Sequence, residues 1–126
     1  NEQYFGSWEG KVVDTLREHP EFKQLIKDPA NYKAQANGGE TFEQLGERAM
    51  KALQDIIKIH DQGNILIVSH GHTLRLLLAL LNGATWQNHR DEDKSVSLIN
   101  TSISVVHYDD ENGFRVEKMN DADHLK

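Results

Sequence analysis

Cysteine is absent from this chain of 126 residues, and proline occurs only twice. Without cysteine, neither a disulfide framework nor a thiolate zinc site can form. Basic residues are also few, because 20 Asp and Glu outnumber 14 Lys and Arg and give a net charge of −6. We therefore expect no nucleic-acid partner, since a phosphate-backbone binder usually presents a basic face. No apolar run approaches the roughly 20 residues that cross a membrane, so we expect a cytoplasmic protein without a membrane partner.

The length of the chain fits a single domain, because domains usually contain about 100–200 residues. Its first ten residues nevertheless include the aromatic and glycine-rich stretch Tyr4-Phe5-Gly6-Ser7-Trp8, whereas N-termini are usually polar and loose. We therefore expect residues 1–126 to be the C-terminal portion of one domain, with upstream strands missing from the sheet. The oligomeric state cannot be predicted from the sequence.

Three helical regions are predicted. Residues 10–27 carry apolar positions at helical spacing, and Pro20 divides them into two short helices. Thr41 followed by Gln44 is a capping box that begins the longest helix. The segment from Leu74 to Leu81 is nearly all Leu and Ala, so we expect a deeply packed helix there. The apolar face of the longest helix comprises Phe42, Leu45, Ala49, Leu53, Ile56 and His60.

Strands are predicted in two places. Residues 64–69 form a continuous apolar run, which indicates burial on both faces and hence a central parallel strand. Residues 102–108 and 114–119 flank the turn 109–113 and predict a β-hairpin. Helices interleaved with these strands predict an α/β domain with a mixed sheet.

The most informative motif is Ser69-His70-Gly71-His72-Thr73, which joins the predicted parallel strand to the following helix. Ligands of open α/β sheets bind at the carboxyl ends of strands, and a helix N-terminus offers unpaired N–H groups to an anion. A histidine at this point can bind phosphate when charged or transfer a proton when neutral. The motif therefore points to phosphate chemistry, with His70 as the first candidate residue.

Other interpretations of these residues are less specific. His72 is as well explained by packing as by function, and Thr73 is best explained as a helix cap. A metal site is improbable, because the glycine turn separates His70 and His72 and nothing places further ligands beside them. Spacing alone does not distinguish Glu2 from a solvated charge. Arg75 is expected to pair with a surface carboxylate, and Glu40 either lines the mouth of a site or compensates a helix dipole.

Three segments taken together resemble the histidine phosphatase superfamily, in particular its phosphoglycerate mutase-like branch. They occur in the family's order and span essentially the whole chain. The Ser-His-Gly element is weak alone but becomes specific when the Glu-x-x-x-Gly-x-Trp-Glu-Gly element precedes it. The segments are Asn1-Glu2-Gln3-Tyr4-Phe5-Gly6-Ser7-Trp8-Glu9-Gly10, Gly38-Gly39-Glu40-Thr41-Phe42 and Val68-Ser69-His70-Gly71-His72-Thr73-Leu74-Arg75.

The resemblance implies a three-layer α/β/α sandwich with a mostly parallel sheet, incomplete in this chain, and a two-step phosphoryl transfer through phosphohistidine. By position, Glu2 matches the family's proton donor to the leaving oxygen. His70 matches the second histidine, which stabilises the phosphoryl group during transfer. The backbone N–H groups of Gly71 and His72 match phosphate-binding positions. No metal or other cofactor is implied, except a 2,3-bisphosphoglycerate primer in a mutase.

One family element is missing, because no Arg-His-Gly motif, which carries the nucleophilic histidine, occurs in these residues. The resemblance therefore implies a phosphomonoesterase of small phosphorylated metabolites whose nucleophile lies upstream. A cofactor-dependent phosphoglycerate mutase is the first alternative, but residues 11–40 lack the paired arginines that such mutases use to hold their acid substrate. The second alternative is a non-catalytic phosphate-binding or scaffold protein that has lost the nucleophile.

Overall fold

Helices make up most of the regular structure in the computed structural model, which describes residues 1–60 and 62–126. We number the α-helices and strands along the chain. They are α1 (Val13–Leu16), α2 (Pro20–Lys27), α3 (Phe42–Ile59), α4 (Gly71–Leu81), β1 (Ile103–Asp109) and β2 (Gly113–Asp121). Short 3₁₀ turns lie at Gly6–Trp8, Pro29–Asn31 and Asp123–Leu125. The helices and the hairpin are close to the predicted ones, and the α/β class is confirmed.

Local sequence explains where the helices begin. Thr41 Oγ1 accepts a hydrogen bond from the N–H of Gln44 at 3.3 Å, and Gln44 Oε1 accepts from the N–H of Thr41 at 2.9 Å, so the predicted capping box begins α3. The α2 helix begins at Pro20, which supplies the fixed φ of a first helical turn, and His19 Nδ1 accepts from the N–H of Glu21.

The core lies between α2, α3 and α4 and the loops that precede α3. Gly46 of α3 faces α4, since a Cβ built at this position would lie in ordinary van der Waals contact with Leu80 at 3.5 Å and with Leu76 at 3.7 Å. Burial of these apolar side chains, each worth about 1.5–3 kcal/mol, holds α4 against α3. The core residues are Trp8, Leu25, Tyr32, Ala34, Phe42, Leu45 and Leu76.

The described residues contain one sheet, the antiparallel pair β1–β2, in which His107 lies opposite Arg115. Irregular register between Ile103 and Val106 marks a bulge near the start of β1. The predicted mixed sheet and the parallel sheet of a three-layer sandwich are not found in the described residues.

The prediction of a central strand at residues 64–69 is wrong for the described structure. These residues have no regular secondary structure, and Leu66 and Val68 are 89% and 84% exposed. A strand needs a neighbour to satisfy its N–H and C=O groups, and no described residue pairs with this segment. His60, predicted to lie on the apolar face of α3, is instead the exposed residue at which that helix ends.

No helix within the described residues combines the length and hydropathy needed to cross a bilayer.

Candidate active site

The N-terminal segment of the chain lies against the first turn of α4. Glu2 Oε2 accepts a hydrogen bond from the N–H of His72 at 3.0 Å, although 70 positions separate the two residues. Glu2 Oε1 accepts from the N–H of Thr73, from Thr73 Oγ1, both at 2.9 Å, and from the N–H of Gln3 at 3.0 Å. The Glu2 carboxylate therefore caps α4 from a distant part of the sequence.

This position has an electrostatic cause. The first N–H groups of a helix have no partner within the helix and carry the positive end of its dipole, so they attract an anion. Burial by itself would raise the pKa of Glu2, but the hydrogen bonds from the backbone of His72, Gln3 and Thr73 outweigh burial and lower the pKa. Glu2 is thus held as a carboxylate at the helix terminus.

The prediction that Thr73 caps α4 is wrong. The N-cap position is occupied by His70, whose side chain makes no capping hydrogen bond. The hydroxyl of Thr73 instead lies 2.9 Å from both the carbonyl oxygen of Asn1 and Glu2 Oε1. Its role is to fix the N-terminal segment on α4.

An ion pair holds the same segment from the other side. Arg48 Nε lies 2.9 Å from Glu40 Oε2, and the Arg48 guanidinium also donates to the carbonyl oxygens of Asn1 and Glu2. Glu40 Oε1 accepts from the N–H of Tyr4 at 3.2 Å. Burial would raise the pKa of Glu40, but the hydrogen bonds from Arg48 and Tyr4 lower it overall. Glu40 therefore positions the backbone that carries Glu2.

The imidazole of His72 is enclosed by three side chains. Its Nδ1 lies 3.1 Å from Gln3 Oε1, and its Nε2 lies 3.4 Å from Arg90 Nη2. The centres of the His72 and Phe5 rings are 5.5 Å apart, and the two rings meet edge-on. Burial, followed by the positive charge of Arg90, lowers the pKa of His72 to about 4. His72 is therefore a neutral side chain at physiological pH.

His70 and Gly71 form the exposed edge of the site. Both residues are solvent-exposed, and the carbonyl oxygen of His70 accepts from the N–H of Leu74 at 2.9 Å, which starts the helical hydrogen bonding of α4. A Cβ added to Gly71 would meet nothing within 4 Å, so the backbone is bare at this point. An anion can approach the first turn of α4 from this side.

Two cavities adjoin the N-terminal segment. One of about 380 Å³ lies over Glu2, Phe5 and Arg48. The other, of about 500 Å³, has His72 in its wall and is lined mainly by apolar side chains, with Lys11 and Arg17 also present. Its apolar lining includes Phe5, Trp8, Val13, Leu16 and Phe22.

The structure places three predicted residues at one point. Glu2 binds the N–H of His72 in the first turn of α4, which begins at Gly71, and His70 directly precedes Gly71. Sequence reasoning missed Gln3, Arg48 and Arg90, since each acts through contacts with residues far away in the chain. Within residues 1–60 and 62–126, no three or more His, Cys, Asp or Glu side chains are grouped so that they could hold a metal ion.

The family described as "Histidine phosphatase superfamily (branch 1)" matches residues 1–122. The chain belongs to the histidine phosphatase superfamily, which confirms the resemblance carried by the Glu2 and His70 motifs.

Individual relatives carry two kinds of name. The chain is 29% identical over 125 residues to the "Metal-independent phosphoserine phosphatase" of Arabidopsis thaliana, covering 98% of this chain and 49% of that protein. It is also 29% identical over 127 residues to the "Probable phosphoglycerate mutase GpmB" of Salmonella paratyphi B, covering 95% of this chain and 56% of that protein. The chain thus spans about half the length of the curated relatives it matches.

A solved structure agrees with this assignment. The chain superposes on Bacillus stearothermophilus YhfR with a TM-score of 0.87 and 28% sequence identity, covering 99% of this chain and 60% of that one. Nearly all of this chain therefore follows the fold of a larger protein.

Proposed function

We propose that this chain forms the proton-donor and phosphate-binding side of a phosphomonoesterase that works through a phosphohistidine intermediate. The observation that carries the proposal is the Glu2 carboxylate bound to the N–H groups of His72 and Thr73, at the exposed helix terminus that follows His70. A proton donor and an anion-binding helix terminus are thereby in contact. Family membership supports the same activity.

The residues at the start of α4 would bind and stabilise the phosphoryl group. His70 and the positive end of α4 stabilise the charge on the phosphoryl group during transfer, the kind of electrostatic stabilisation that is usually the largest single contribution to catalysis. The N–H of Gly71, together with that of His72 when Glu2 moves aside, donates to phosphoryl oxygens. The proposal includes no metal ion, and the positive end of the α4 dipole faces the phosphoryl group.

Glu2 must be protonated to act as a general acid. In the structure its pKa is lowered by hydrogen bonds to the carboxylate form. A phosphate dianion beside Glu2 would compete for the same N–H groups and add a like charge, and both changes raise the pKa of a carboxyl group. Substrate binding itself therefore creates the protonated Glu2, which then gives its proton to the leaving alkoxide.

The nucleophile is assigned to a histidine outside residues 1–126. On this proposal the chain is the C-terminal portion of a single domain, a three-layer sandwich in which residues 64–69 pair with other strands of a parallel sheet. The strong exposure of Leu66 and Val68, and the greater length of the relatives, support this arrangement.

The substrate is proposed to be a small phosphate monoester. The relative named as a phosphoserine phosphatase supports a phosphatase, and the cavity lined by Phe5, Trp8 and His72 can receive an organic group next to the helix terminus. The relative named as a probable phosphoglycerate mutase supports the alternative of a mutase. A mutase would depend on 2,3-bisphosphoglycerate as primer, whereas a phosphatase turns over without it.

Rapid quenching of the intact protein that carries this sequence tests the proposal. Incubation with a ³²P-labelled monoester should label the protein with an acid-labile, alkali-stable phosphoramidate, which must form if a histidine is the nucleophile. His70→Ala should lower turnover at least 100-fold, on the order expected when a charge-stabilising group is removed. The exposed His124→Ala serves as the matched control. Absence of label and of turnover would instead favour a phosphate-binding protein without catalysis.

A further inference from the structure

Arg90 is a largely buried guanidinium that no carboxylate neutralises within the described residues. Its Nη2 lies 3.4 Å from His72 Nε2, and the guanidinium carbon lies 5.9 Å from the centre of the Phe42 ring. Its Nε is buried without a hydrogen-bond partner in the described part of the chain. Burial of an unpaired guanidinium makes the folded state less stable, since the loss of hydration of a buried charge is usually compensated by an ion partner. Among the described residues, the ring of His72 supplies the hydrogen-bond acceptor that this guanidinium contacts.

Hydrogen-bond direction follows from chemistry. An arginine can only donate, so Nε2 of His72 accepts from Arg90 and the ring proton of neutral His72 lies on Nδ1. Nδ1 then donates to Gln3 Oε1 at 3.1 Å, and Gln3 Nε2 donates to the carbonyl oxygen of Glu40 at 3.0 Å. The four residues form one directed series of hydrogen bonds, in which every donor atom meets an acceptor.

This series of hydrogen bonds passes beside Glu2, the proposed proton donor. Gln3 is 1% exposed, and its N–H donates to Glu2 Oε1 at 3.0 Å. The side chain of Gln3 thus ties the backbone of the N-terminal segment to the His72 ring, while the N–H of His72 binds the other oxygen of Glu2. Rotation of the ring would break its hydrogen bond to the Gln3 side chain and so release the part of the N-terminal segment next to Glu2.

We propose that Arg90 is a positioning residue, which fixes His72 in the neutral Nδ1–H tautomer and thereby holds Glu2 at the start of α4. Its effect on turnover rests on the proposed function of Glu2 as proton donor. Its effect on the tautomer does not. Arg90 lines neither of the two cavities that adjoin the N-terminal segment, and its hydrogen-bond contact is with the ring of His72.

The charges around His72 agree with this assignment. Arg90 and Arg75 disfavour the imidazolium, and Glu2 favours it; Gln3 and Phe5, which also contact the ring, are uncharged. His89, one residue before Arg90, is itself buried and its pKa is lowered to about 4, so it adds no positive charge at neutral pH. Burial lowers the pKa of Arg90 to about 10, which leaves it charged in the physiological range.

Nitrogen-15 NMR of histidine side chains in the intact protein tests the tautomer directly. In the wild type the His72 ring should show a protonated Nδ1 and an unprotonated Nε2 from pH 5.5 to 8. Arg90→Met removes the donor, so the ring should populate both tautomers. Arg90→Lys retains a donor and should restore the Nδ1–H form. A wild-type ring protonated on Nε2, or an Arg90→Met ring unchanged from wild type, would overturn the proposal.

Kinetics give a second, separate readout. Arg90→Met should lower kcat about tenfold on alkyl phosphates, which need a proton donor, and leave KM within about twofold. On nitrophenyl phosphate, whose leaving group needs little protonation, kcat should change less than about twofold. Arg115→Met, on the exposed hairpin, is the matched control. Equal losses on both substrates would show a general structural defect and contradict the positioning role. If the wild type proves inactive, the proposed function fails while the NMR result still decides the tautomer.

Discussion

The carbonyl oxygen of Asn37 accepts a hydrogen bond from the N–H of Ser7 at 2.8 Å, and this contact joins the N-terminal motif to the glycine-rich loop. Two glycines make the approach possible. Gly6 has a φ of 58°, and a Cβ there would overlap the Asn37 carbonyl group. A Cβ on Gly39 would lie 2.5 Å from the carbonyl oxygen of Tyr4. The segment that carries Glu2 is therefore placed by backbone contacts that only glycine permits.

Gly6→Ala should destabilise the protein far more than Gly10→Ala. Both glycines have a positive φ, so alanine costs about 1–2 kcal/mol at either position. Only at Gly6 does the Cβ also meet backbone, which adds roughly 1–3 kcal/mol of overpacking, because a Cβ at Gly10 meets nothing within 4 Å. Urea unfolding of the two variants measures the difference, and equal losses would show that Gly6 and Asn37 are not in contact.

Stability should fall as the pH is lowered through the range in which free histidine titrates. His72 has an ordinary pKa near 6.5 when unfolded and about 4 when folded, so between these values only the unfolded state takes up the proton. The stabilisation is complete above about pH 6.5 and is lost as the pH falls toward 4. The slope is up to about 1.4 kcal/mol per pH unit for each such histidine, and buried His89 adds to it.

Urea unfolding between pH 4.5 and 7 checks this prediction. His72→Asn should lose less stability than the wild type as the pH falls, because one proton fewer binds on unfolding. Replacing the exposed His124 with Asn is the control and should leave the slope nearly unchanged. An unchanged slope in His72→Asn would mean that the imidazole already titrates freely in the folded protein.

A polypeptide limited to residues 1–126 should self-associate through its exposed apolar segment. Leu66 is 89% and Val68 84% exposed. An extended segment with exposed apolar side chains and unpaired N–H and C=O groups is a template for pairing between chains. The double variant Leu66→Lys and Val68→Lys should shift the polypeptide toward monomer in sedimentation velocity runs over a range of concentrations. Leu125→Lys, at an apolar residue that is also exposed, is the control. Association that persists unchanged in the double variant would place the contact elsewhere.

Local signals in the sequence predicted much of this fold. The capping box of Thr41 and Gln44, Pro20 at the start of α2 and the turn at 109–113 depend only on neighbouring residues, and each element forms as expected. The strand predicted at 64–69 depends on a partner strand, which local pattern cannot supply. Its apolar composition indicates burial but does not say against what.

The candidate site shows the same division. The motif around His70 and Gly71 indicates an anion-binding helix terminus, and in the structure these two residues are exposed at the start of α4. Glu2 is a candidate because of the family resemblance and not because of its spacing. The contributions of Gln3 and Arg90 could not have been predicted, because each depends on the orientation of the His72 ring, which is fixed only in the folded chain.

Our central claim is that Glu2, protonated when substrate phosphate takes over the N–H groups of His72 and Thr73, donates the proton to the leaving group. The most direct test compares kcat for Glu2→Gln and the wild type, in the intact protein, over a series of phosphate monoesters with leaving groups of increasing pKa. We predict a loss that grows from less than about tenfold on nitrophenyl phosphate to about 10²–10⁴-fold on alkyl phosphates, the range that general acid catalysis contributes. A loss of the same size on every ester would contradict the claim.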